Sequence, residues 1–89
     1  MTATKRWSVE ILIGEVDART YAEAQLYDEI RDDLVGIGEA RVHPDAPNIP
    51  DIGDEIAVAR ALSDLGHRLL VAAADDLEEA THEHVRLAD

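Results

Sequence analysis

Eighty-nine residues suffice for one small domain, and a chain this short buries only a thin core. Its net charge of −12, from 20 Asp and Glu against 8 Lys and Arg, opposes nucleic acid and anionic membrane surfaces alike. The absence of cysteine excludes disulfides, thiolate metal sites and Cys nucleophiles together.

Residues 7–13 alternate, with Trp7, Val9, Ile11 and Ile13 on one side and Ser8, Glu10 and Leu12 on the other. This is a strand pattern. Residues 14–18 carry Gly14 and Asp17 and read as a turn. Residues 19–34 support two readings. Thr20 with Glu23 resembles a capping box, and Ala22, Leu26 and Ile30 recur at helical spacing. A strand would instead put Thr20, Ala22, Ala24 and Leu26 on one face and Tyr21, Glu23, Gln25 and Tyr27 on the other, leaving residues 28–33 as an acidic hairpin loop. Local signals favour the helix slightly.

Residues 34–42 alternate again, with Gly36, Gly38, Ala40 and Val42 sharing a face. Two glycines in one strand mark a close backbone approach, and the visitor expected here is the helix that follows. Pro44, Pro47 and Pro50 make residues 43–51 a stiff connection from sheet to helix. The helix is expected to start at residues 51–54, where Asp51 or Asp54 can cap it. Its apolar stripe of Val58, Leu62, Leu65, Leu69 and Ala72, with Ala61 and Ala73, runs to about Leu77. A helix of ~25 residues is ~37 Å long, more than the sheet beneath it spans, so its end should overhang, bend or pack on another chain. Asp75, Asp76, Glu78 and Glu79 crowd the negative end of the dipole, so that end should fray, with residues 81–89 a flexible tail.

Chemistry-bearing patterns are weak. Glu79 and His82 have the spacing of di-iron bundles but no second copy. His82 and His84 are candidate metal ligands in a solvated tail with nothing to orient them. His67 reads as a surface residue, and Ser8 and Ser63 have no base nearby in sequence. Asp28, Glu29, Asp32 and Asp33 lack the spacing and glycine of a calcium loop. Gly36 and Gly38 lack the remaining glycines of a phosphate loop. No catalytic residue, metal ligand or cofactor is assigned. One surface stands out. If Ala22, Ala24, Gly36 and Gly38 face the helix, then Leu12, Tyr21, Tyr27, Val35 and Ile37 face away, and a single helix cannot cover both sides of the sheet. These five are the candidate interface residues.

The run VGIGEARVHPDAPNIPDIGDEIAVARALSDL, with RTYAEAQL upstream, resembles a family of small, mostly actinobacterial proteins of unknown function. The resemblance covers about residues 7–80. It implies a three-stranded antiparallel meander followed by one long helix, a fold grouped with double-stranded-RNA-binding domains, and it makes RTYAEAQLY the second strand. It carries over no RNA binding, because the lysines expected at the helix start are replaced by Asp51, Asp54 and Glu55. The expectation is therefore one α+β domain, β-β-β-α, with Ile11, Ile13, Leu26, Val42, Val58, Leu62, Leu65 and Leu69 in its core. With no signal-like or spanning segment in view, it is expected in the cytoplasm. The leading functional reading is a non-enzymatic interaction protein that self-associates as a homodimer. The alternatives are a small-molecule or metal-binding protein with an inter-chain pocket, and an acidic decoy for a basic protein partner. Nucleic acid and membrane are the least expected partners.

Overall fold

The computed structural model describes residues 2–29, 32–41, 50–82 and 84–88. Strands β1 (Ser8–Val16), β2 (Arg19–Tyr27) and β3 (Val35–Arg41) form an antiparallel sheet in the order β1-β2-β3, and one helix, α1 (Pro50–Thr81), follows. This is the expected α+β meander with a single long helix.

β1 runs further than its alternation suggests. Gly14, Glu15 and Val16 pair with Tyr21, Thr20 and Arg19, so the turn expected over residues 14–18 contracts to Asp17 and Ala18. Asp17 has a φ of 55°, a left-handed conformation that Asp tolerates better than most residues. In β2 the strand reading prevails over the local helix signal. Thr20, Ala22, Ala24 and Leu26 are all buried while Tyr21, Glu23 and Tyr27 are exposed. A central strand satisfies its backbone on both sides and buries that whole row at once, which outweighs helix propensity. The Leu26 N–H donates to the Leu34 carbonyl (3.0 Å), and the Gln25 side-chain amide donates to the Asp32 carbonyl. Together they close the acidic connection between β2 and β3. The proline-rich connection, residues 43–49, and the predicted core residue Val42 lie outside the described residues.

α1 begins at Pro50, ahead of the expected start, and a proline suits the first turn because its missing N–H has no partner there. The helix has 32 residues, ~48 Å, against strands of ~30 Å. It does not stop near Leu77 despite its acidic end. Asp75, Asp76 and Glu79 are exposed, so water screens them. Closure comes at His82, whose φ of 59° turns the chain and whose N–H donates to the Glu78 carbonyl at 2.6 Å. That is a left-handed C-terminal cap. The Thr81 hydroxyl adds a bond to the Leu77 carbonyl (2.8 Å).

The core is built from small side chains. Ala22, Ala24, Leu26, Ala40, Ala57, Ala61 and Leu65 are buried, and Ile11, Leu34, Val58 and Leu69 pack partly against them. A Cβ at Gly36 would collide with the Ala61 carbonyl and the Leu65 amide, and one at Gly38 with the Ala57 carbonyl and the Ala61 amide. The glycine pair therefore marks backbone approaching backbone, with the helix as the visitor. Two expected core residues are misplaced. Ile13 and Leu62 remain 47% and 45% exposed. The glycines and alanines draw α1 down over β2 and β3, leaving β1 beside the helix rather than beneath it.

Candidate interaction surfaces

On the sheet face away from α1, the register sets Leu12 beside Glu23 and Glu23 beside Ile37, with Glu10, Gln25 and Val35 in the next row and Gly14, Tyr21 and Glu39 in another. Leu12, Tyr21, Tyr27 and Ile37 are exposed and Val35 is half-buried. The five candidates thus share a face, but carboxylates interleave with them. Glu39 there meets Arg19 at 3.8 Å and Arg41 at 3.6 Å, exposed pairs that contribute little to stability.

The two edges of the sheet are treated differently. At β3, the Ile37 N–H donates to Asp64 Oδ2 (2.9 Å) and Arg60 Nη1 donates to the Glu39 carbonyl (2.7 Å). Both side chains come from α1 and strap the edge. Arg68 Nε also donates to Asp64 Oδ2 (3.0 Å). The Ile37 amide, and then Arg68, hold the Asp64 carboxyl below the usual carboxylate range.

The strap also fixes the hydrogen-bonding alternation. Ile37 and Glu39 point their backbone groups away from β2, so Gly36, Gly38 and Ala40 bond to it. Tyr21, Glu23 and Gln25 of β2 then bond to Gly14, Leu12 and Glu10 of β1. The N–H and C=O groups of Val9, Ile11, Ile13 and Glu15 consequently point out from the opposite edge. The two-residue connection after Val16 requires the same phase. Among the described residues no other strand pairs with that edge.

The side chains of Val9, Ile11 and Ile13 lie on the helix side of the sheet, in register with Leu26, Ala24 and Ala22. Between this strip and α1 runs an open apolar groove of about 450 Å³, lined by Ile13, Asp54, Glu55, Val58, Ala59 and Leu62. Asp54 Oδ1 is buried there with no hydrogen-bond partner among the described residues. Sequence reasoning placed Ile13 and Leu62 in the core and so missed this groove. The signal was present in the small residues, which cluster on β2, β3 and one side of α1 and trace where the helix lies.

His84 Nδ1 lies 2.7 Å from Glu78 Oε1, which also accepts the Val85 N–H at 3.1 Å. Among the described residues no group of three or more His, Asp or Glu converges as metal ligands would. No helix among them is long and apolar enough to cross a membrane.

Comparison with known proteins gives a consistent result. A family model described as Rv2632c-like matches residues 5–86. Uncharacterized protein Mb1767 of Mycobacterium bovis is 47% identical over 83 residues, which is 93% of this chain and 87% of that protein. Uncharacterized protein Rv2632c of Mycobacterium tuberculosis is 43% identical over 81 residues, covering 91% of this chain and 86% of that protein. The crystal structure of Rv2632c superposes with a TM-score of 0.82 at 41% identity, covering 92% of this chain and 96% of that one.

Proposed function

Because the chain belongs to the Rv2632c-like family, whose matched members are named as uncharacterized proteins, we propose its role from its surfaces: a small non-enzymatic interaction protein of the cytoplasm that self-associates as a dimer. One observation carries this reading. Among the described residues the buried side chains are mostly alanine, while Val9, Leu12, Ile13 and Leu62 are between 42% and 57% exposed. Each such side chain is already about half covered, and covering the rest of it on association contributes roughly 1 kcal/mol.

Native mass spectrometry of tag-free protein at low and high ionic strength tests it. The expected mass is twice 9.8 kDa, with association holding or tightening as salt screens the repulsion between two chains of charge −12. A mass of 9.8 kDa alone at both salts rejects self-association. Complexes with a basic protein that dissolve as salt rises would replace it with the acidic-decoy reading. The groove of about 450 Å³ favours a second reading, a bound apolar small molecule, and reproducible excess mass on the polypeptide would bring that forward.

A further inference from the structure

We infer that two copies of this chain join edge to edge through β1, running antiparallel about a two-fold axis at Leu12, so that the two sheets become one of six strands. This rests on the self-association reading and specifies where and how it occurs. β1 offers nine residues of strand with Val9, Ile11, Ile13 and Glu15 presenting unpaired backbone groups, and a strand of that length with three apolar side chains among four outward positions is a template for another strand.

A second copy is the occupant that the residues favour. Arg60 and Asp64 already occupy the β3 edge, so among the described residues each chain has one open edge, and association through it closes at two. The self-pairing is also complementary. An axis at Leu12 uses all nine residues of β1 and sets Ile11 against the partner's Ile13, Val9 against the partner's Glu15, and Glu10 against the partner's Gly14. No carboxylate then faces another. An axis at Glu10 would oppose two carboxylates and leave the strand ends unpaired. On the helix side, Val9, Ile11 and Ile13 of both copies become one apolar floor between the two helices, continuous with the groove lined by Val58 and Leu62.

The phase of the ladder supplies the test. Ile13 directs its N–H outward, so Ile13→Pro removes a donor to the partner while leaving the β1–β2 bonds intact. Leu12 on the axis is a non-hydrogen-bonded pair, with Cα atoms ~4.5 Å apart, within disulfide reach. The chain has no native cysteine, so Leu12→Cys reports cleanly. Under mild oxidation at micromolar concentration, Leu12→Cys should cross-link at least about tenfold faster than the exposed control Ser63→Cys, because the partner thiol is held at millimolar effective concentration. Ile13→Pro should be a folded monomer by circular dichroism and native mass spectrometry, and Ile37→Glu on the outer face should remain dimeric. A wild type that is dimeric while Leu12→Cys fails to cross-link and Ile37→Glu dissociates overturns the edge pairing and leaves self-association standing. A wild type that is monomeric, or that retains a different polypeptide instead of itself, overturns both.

Discussion

A single methyl group decides how closely α1 can lie on β3. At Gly36 the space a Cβ needs is already filled by the backbone of Ala61 and Leu65, which belong to a helix that cannot yield locally. Gly36→Ala should therefore lower the unfolding free energy by ~2–3 kcal/mol, as overpacking does, read as an earlier urea midpoint. Gly66 sits on the exposed side of the same helix, and a Cβ added there would meet nothing within 4 Å. Gly66→Ala should raise stability by ~1 kcal/mol through helix propensity alone. The same chemical change has opposite signs at two glycines, and equal losses at both would show that the close approach is not what Gly36 provides.

At the scale of the elements, the strands were legible wherever period-two alternation had no competitor. β1 and β3 followed directly from it, and the glycine pair of β3 announced the helix above it. β2 was not legible locally, because Thr20 and Glu23 imitate a helix start and Ala22 and Leu26 fit a helical face. Pairing on both sides, a long-range effect, settles it as a strand. The lateral position of α1 was the larger miss. Period tells which face of a helix is apolar but not which strands it covers, and Ile13 and Leu62 were assigned to the core on that ground. The five outer-face candidates were legible from strand alternation, whereas the groove beside β1 needed the offset of the helix. The far end of α1 carries its own prediction. Glu79 is exposed in the last turn, where no basic residue offsets the dipole. Glu79→Lys should stabilise by ~0.5 kcal/mol and raise the thermal midpoint, an effect that shrinks in high salt.

For the molecule as a whole, the two sheet edges are the decisive asymmetry, and acid acts on it. Asp64 accepts from Ile37 and Arg68 more strongly when ionised, and its folded pKa is accordingly depressed. Stability from a depressed carboxyl is present above its unfolded value of ~3.9 and is lost as pH falls through the lower folded value. Amide exchange at Ile37, corrected for its intrinsic rate, should accelerate as pH drops below ~4, and Asp64→Ala, which removes the acceptor, should exchange fast at every pH. An Ile37 amide that stays protected in acid would show that the Asp64 carboxylate is not what guards this edge. The same acid discharges the carboxylates that keep copies apart. On the proposed β1 pairing, and in the language of polymerisation, the strapped chain is a monofunctional unit, able to react once and then terminate. Loss of the strap makes it bifunctional, and a bifunctional unit with complementary ends has no reason to stop growing.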